Sequence, residues 1–225
     1  MLDARQASVR RREALERLCA NYWLPLYAYL RRRGHAPADA EDLTQAFFGH
    51  LLATDFLERS DPEKGRFRGF LVGALKRFLG THFTRENAAK RGGGAVDLVD
   101  WAAADAEAKF MPFAEAPLDA SEVYERSWAY ALIGRALRQL EAEQAGPEKA
   151  RRFALLKAFL SAAPDRGDYD RAARALGATR ANISLWVHRL STRYAELVKL
   201  EVAATVRDPA DVKDEMAHLL RVLRR

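Results

Sequence analysis

The sequence predicts an all-α protein made of two helical domains joined by an acidic linker. Apolar residues recur at three- and four-residue spacing along nearly the whole chain, and no run alternates with period two. The helical pattern breaks near the middle at Arg91, Gly92, Gly93 and Gly94. Charge is segregated as well: residues 1–95 carry a net +6, residues 96–150 a net −6 and residues 151–225 a net +6. With 225 residues, 49% hydrophobic and 30% charged, the chain has material for two cores and is not a disordered polyelectrolyte. Two basic blocks around an acidic middle suit a polyanion held at both ends, or else two solvated helical faces.

The first domain is expected over residues 1–91. Its first helix, from about Ser8 to Arg33, has a stripe at Leu15, Leu18, Tyr22, Leu26 and Tyr29. Pro25 should kink it, because an interior proline removes a backbone donor, and Gly34 should stop it. The second helix opens at Asp39 as N-cap, with Glu41 and Asp42 where the helix dipole favours anions, and buries Leu43, Phe47 and Leu51. A polar loop over Glu58 to Arg66 leads to a third helix near Phe67 to Lys90. There Leu71, Leu75, Phe78 and His82 share one side, while Arg77, Thr81 and Arg85 stack on another at four-residue spacing. Phe70 and Phe78 are expected in the core.

Residues 92–120 mix Ala, Asp, Glu, Pro112 and Pro117 without a stable period and are expected to form the linker. Trp101, Phe110, Met111 and Phe113 make it more apolar than a passive spacer, which suits docking onto a surface or partner. The second domain, residues 121–206, begins with a long helix marked by Val123, Tyr124, Trp128, Leu132 and Leu140. Gly146 and Pro147 reset the chain for a helix carrying Phe153, Leu156 and Leu160 that ends at Pro164. Residues 207–225 form a C-terminal extension. Its helix is capped by Asp208, starts at Pro209 and has Val212, Met216, Leu219, Leu220 and Leu223 on one face.

The most informative local signal is the segment from Tyr169 to Tyr194, YDRAARALGATRANISLWVHRLSTRY. Small Ala172 and Ala173 let a short helix approach closely, Leu176 plugs the core, Gly177 permits a left-handed turn, and Thr179 caps the next helix. This is the pattern of a helix-turn-helix, with an ordinary helical hairpin as its plain alternative. On the second helix Ile183, Val187, Leu190 and Tyr194 face inward and Arg180, Asn182, Ser184, Leu185, His188 and Arg189 outward. Such a helix fits the major groove, its N-terminal polar side chains on base edges and its Arg and His on phosphates. Trp186 suits either the core or the DNA side, with packing favoured for an indole.

A second signal, DAEDLTQAFF from Asp39, is preceded by LYAYLRRRG and followed by FRGFLVGALKRFL. Together these resemble region 2 of bacterial RNA polymerase sigma factors of the extracytoplasmic-function type, and the helix-turn-helix resembles region 4 of the same family. The resemblance implies binding to core RNA polymerase, melting of the minus-ten element by region 2 and reading of the minus-thirty-five duplex of promoter DNA by region 4. It assigns Asp39, Asp42 and Gln45 to polymerase docking, an acidic and amide-bearing face for a basic partner. Dipole compensation is a compatible second role for Asp39. It assigns Asp61, Lys64, Arg66 and Phe67 to capture of a flipped base, and Lys76, Arg77 and Arg85 to the phosphates of the melted strand. The upstream duplex falls to Thr179, Arg180, Asn182, Ser184, His188 and Arg189. Arg77 stands where many relatives have Asn, and Gly73 and Gly80 soften the same helix. Stacking at about 1–3 kcal/mol per base offsets unstacking only with polymerase present, so the free chain should bind DNA poorly.

Enzymatic readings lack a catalytic set. His35, His50, His82, His188 and His218 form no metal-ligand pair at one-turn spacing, and no Gly-rich phosphate loop ends in Lys-Ser or Lys-Thr. Dipole compensation accounts for Asp39, Glu41 and Asp42 without Mg²⁺. No metal or cofactor is expected, and catalysis belongs to the polymerase. Cys19 alone excludes an internal disulfide, and its context suggests a small buried side chain in a reducing cytoplasm. No apolar run approaches the roughly 20 residues needed to span a bilayer, so no membrane partner is expected. An anti-sigma or other regulatory protein is a further partner the resemblance allows. The competing function is a free-standing helix-turn-helix regulator that binds an operator.

Overall fold

The computed structural model describes residues 18–54, 67–86, 105–161, 164–206 and 208–224, with the side chains of Leu52 and residues 82–86 outside that description. Among the described residues the chain is all-α, with nine α-helices, two 3-10 turns and no strand. They divide into two compact units, one of residues up to Ala131 together with His218 onward, the other from Leu132 to Ala217. The first boundary falls inside one long helix and the second inside the last helix.

In the first unit, helix α1 (residues 18–32) is buried nearly all round, at Tyr22, Trp23, Leu26, Tyr27, Ala28, Tyr29 and Leu30. A helix apolar on every side belongs at the centre of its bundle. It runs through Pro25 and stops at Gly34, whose φ of +93° is left-handed. The Gly34 amide donates to the Arg31 carbonyl at 3.0 Å and the His35 amide to the Leu30 carbonyl at 3.3 Å, which satisfies carbonyls the helix end would otherwise orphan.

Helix α2 (Pro37–Ala53) begins three residues earlier than the sequence suggests. Its N-cap is Ala36 without a side-chain cap, Pro37 sits at the start, and Asp39 lies within the first turn. The expected Asp39 cap is therefore corrected: a proline with its preset φ opens the helix, and the carboxylate faces the dipole. Helix α3 (Phe67–Glu86) buries Leu71, Leu75 and Phe78 as expected, and Phe70 is half-buried. Leu26, Leu30, Phe47, Phe48, Leu51, Leu71 and Leu75 are each at most 1% exposed. At about 1.5–3 kcal/mol per fully buried apolar side chain, this cluster dominates the stability of the bundle.

Within the segment expected to be a linker, residues 106–114 differ: they form helix α4 (Ala106–Ala114), despite Pro112 in its last turn. Tertiary contacts explain it. Tyr27 donates its hydroxyl to Glu107 Oε2 at 2.6 Å, and Arg31 grips the same carboxylate through Nε at 2.8 Å and Nη2 at 2.7 Å. Arg31 also lies 5.1 Å over the Phe110 ring. Arg32 donates to the carbonyls of Ala114, Ala116 and Leu118, placing a cation at the negative end of α4. Arg31 holds the Glu107 carboxyl below its ordinary value, and burial followed by Glu107 pushes the Tyr27 phenol up to about 12. A depressed carboxyl stabilises the fold fully above its unfolded value of about 4.3 and loses that contribution as pH falls through the folded value. The unfolding-midpoint difference between the native chain and Glu107→Gln should thus be present at pH 7 and vanish on acidification below that range.

Helix α5 (Ala120–Ala142) opens with a reciprocal cap: the Asp119 amide donates to Glu122 and the Glu122 amide to Asp119, at 2.9 and 2.8 Å. Val123, Tyr124, Trp128, Leu132 and Leu140 are at most 1% exposed, as their spacing predicts. Arg68 of α3, 3% exposed, lies 4.5 Å over the Trp128 ring and donates through Nε to Glu125, whose Oε2 is also 2.8 Å from His218 Nε2. The Tyr124 hydroxyl donates to the Arg68 carbonyl at 3.2 Å.

In the second unit, helix α6 (Pro147–Leu156) starts on Pro147 after Gly146 at φ +96°, buries Phe153 and Leu156, and tightens into a 3-10 turn over Lys157–Leu160. Helix α7 (Arg166–Leu176) is capped reciprocally by Asp165 and Asp168. Helix α8 (Arg180–Ala203) is anchored to α5 by Arg135–Glu201 at 2.7 Å, by the two-pronged Arg193–Glu143 pair and by the Tyr194 hydroxyl on the Ile133 carbonyl. The last helix, α9 (Val212–Arg224), follows a 3-10 turn at Pro209–Asp211 that Asp208 caps through the Ala210 amide. Leu219 is buried and Val212, Met216 and Leu223 are at least partly buried, but Leu220 is 48% exposed, so the expected apolar face loses Leu220. Buried Glu215, four residues before Leu219, occupies the inner row instead.

Candidate functional site

Three surfaces bear on function. The first is the outer side of α2. Its inner side is Ala40, Leu43, Thr44, Phe47, Phe48 and Leu51, all buried, with the Thr44 hydroxyl donating back to the Ala40 carbonyl at 2.6 Å. That fixes Asp39 and Asp42, one turn apart, on the outer side, with Gln45 one turn further along it. A carboxylate face on a rigid helix is suited to a cationic partner.

The second surface is on α3. Lys76 and Arg77 are both exposed, and the Arg77 guanidinium lies back along the helix to within 3.7 Å of where a Cβ on residue 73 would sit. Phe67 is half-buried, edge-on to Tyr22 at 5.6 Å and tilted against Phe70 at 6.1 Å. Its ring is fixed at the start of α3 with part of it accessible. Asp61, Lys64 and Arg66 lie outside the described residues, as do Trp101 and the glycines after Arg91, and the side chains of His82 and Arg85 do so too.

The third surface is built by α6, α7 and α8. Leu156, Ala172, Ile183 and Val187 form its buried cluster, with Phe159, Tyr169, Ala173, Leu176, Trp186 and Leu190 packed against it. Between α7 and α8 the turn is carried by Gly177 at φ +58°, ψ 34°. The Gly177 amide donates to the Arg174 carbonyl at 3.4 Å and the Ala178 amide to the Ala173 carbonyl at 3.0 Å. No atom lies within 4 Å of where a Cβ on Gly177 would sit, so Gly177→Ala should cost about 1–2 kcal/mol from backbone conformation alone. Urea denaturation of the variant measures it.

Thr179 caps α8 by accepting from the Asn182 amide at 3.2 Å. Arg180, Asn182, Ser184, Leu185, His188 and Arg189 are all exposed, Arg180 at the very start of α8 above the row of Ile183 and Val187 and the others on the sides of the helix away from that row. The Arg180 guanidinium sits 5.9 Å over the Tyr169 ring. Leu185, 45% exposed among these polar side chains, has the shape for a thymine methyl group. Trp186 is half-buried against the cluster, with Arg152 of α6 stacked 4.6 Å over its ring. Arg152 was not legible as a site residue, since the pairing joins residues 34 positions apart on separate helices.

Among the described residues no group of three or more His, Cys, Asp or Glu could hold a metal ion, and no helix is long and apolar enough to cross a membrane. Cys19 is half-buried rather than enclosed. No curated protein and no solved structure matches the chain. Residues 20–89, which contain most of α1 and all of α2 and α3, match the family model described as Sigma-70 region 2.

Proposed function

We propose that the chain is a sigma factor of the extracytoplasmic-function type, with a region 2-like domain over residues 1–91, a linker over 92–120, a region 4-like domain over 121–206 and a C-terminal extension over 207–225. Asp39, Asp42 and Gln45 dock on core RNA polymerase. Asp61, Lys64, Arg66, Phe67, Lys76, Arg77 and Arg85 hold the melted minus-ten strand, cations on phosphates and the Phe67 ring beside an extruded base. Thr179, Arg180, Asn182, Ser184, His188 and Arg189 meet the minus-thirty-five duplex, with side chains at the start of α8 in the major groove.

The observation that carries this reading is the pairing, in one chain, of a Sigma-70 region 2 match with a separate helical unit that exposes one polar, basic helix face after a left-handed glycine turn. Neither alone distinguishes a polymerase subunit from a free-standing operator-binding regulator. Fluorescence anisotropy with a promoter duplex separates the two. The chain alone should bind weakly and its complex with core polymerase tightly, whereas a regulator would bind its operator without polymerase.

A further inference from the structure

We infer that Arg152, held over the ring of Trp186, is a phosphate-binding residue of the unit that reads duplex DNA, outside the helix-turn-helix itself. The inference rests on the proposed role of α8 in the major groove. Trp186 lies one turn after Asn182 and one turn before Arg189, on the flank of α8 between its buried and exposed sides. A helix seated in the major groove has a phosphate backbone along each flank. Arg152 reaches that flank from α6, with its guanidinium 4.6 Å over the indole.

The way it is held matters for what it can do. Attraction to the ring face holds the guanidinium by its charge and not through N–H···O hydrogen bonds, and its N–H donors match phosphate oxygens two at a time. Among the described residues no carboxylate or carbonyl takes them at hydrogen-bonding distance. This contrasts with Arg31, Arg135 and Arg193, each committed to a glutamate. Trp186 is itself fixed by the buried cluster, so the arginine is positioned before any ligand arrives. Arg180, at the start of α8, stands over Tyr169 in a similar manner.

A phosphate interaction is independent of sequence, so the probe is a 30-base-pair duplex of random sequence bound by the full chain. Removing one such interaction should make the slope of log affinity against log salt shallower by about 0.9. Arg152→Ala and the bulkier Arg152→Gln should each lower it by that amount, with unfolding midpoints unchanged. Arg152→Lys, which keeps the charge, and Trp186→Phe, which keeps an aromatic face, should retain it. Arg138→Ala, removing an exposed arginine of α5, should leave it untouched. If Arg180→Ala and Arg189→Ala lower the slope while both neutral Arg152 variants do not, the inference is overturned and the reading of α8 stands. If none of the four variants moves it, the reading of α8 fails as well.

Discussion

Asp42→Arg should remove binding to core RNA polymerase, by at least about a hundred-fold, while leaving the helical circular dichroism and the unfolding midpoint unchanged. Asp42 lies on the outer side of α2, away from Leu43, Phe47 and Leu51, so the larger side chain meets solvent in the free protein. Against a basic partner the substitution replaces attraction by like-charge repulsion, which costs several kcal/mol at an interface. Asp42→Asn should fall between the two, and Asp39→Asn should lose less, because part of its role is met within the helix's own first turn. Co-purification with core enzyme, titrated by anisotropy, reads all three. Undiminished docking by Asp42→Arg would remove α2 from the polymerase interface.

Glu125→Ala should have the largest effect on stability, toward the lower end of about 3–5 kcal/mol, because it takes away the carboxylate facing a buried guanidinium. Arg68 is 3% exposed, and its Nε lies 3.1 and 2.9 Å from the two Glu125 oxygens. The same carboxylate holds His218 of α9, so amide exchange around His218 should accelerate along with the loss. Glu125→Gln, which keeps an acceptor but no charge, should be milder. A cost below about 1 kcal/mol for Glu125→Ala would show that Arg68 is supported by its stacking on Trp128 instead.

The helices and turns that local rules determine were legible in the sequence. Val123, Tyr124, Trp128, Leu132 and Leu140 are spaced for one buried side and lie on one, and Gly34 and Gly177 adopt the left-handed turns for which glycine is suited. Elements held by distant partners were not. Helix α4 contains Pro112 and is only nine residues long, and its order comes from Tyr27, Arg31 and Arg32, some 76 to 86 residues away in the chain. The start of α2 differs from expectation because Pro37 outranks Asp39 as an opening residue. The reciprocal caps at Asp119 with Glu122 and at Asp165 with Asp168 exist in the sequence only as a three-residue spacing of acidic side chains, which solvated surfaces also show. At the candidate surfaces, the exposed side of α8 followed from the inward set Ile183 and Val187. Arg68 and Arg152 did not, because a charged side chain in a helix reads as solvent-facing until the aromatic ring beneath it is known.

The account is tested most directly by transcription in vitro from a genomic promoter library with purified core RNA polymerase, with and without the chain. It predicts transcripts starting at a discrete promoter set only when the chain is added, and their loss with Asp42→Arg. The same starts at equal efficiency from core enzyme alone would contradict it.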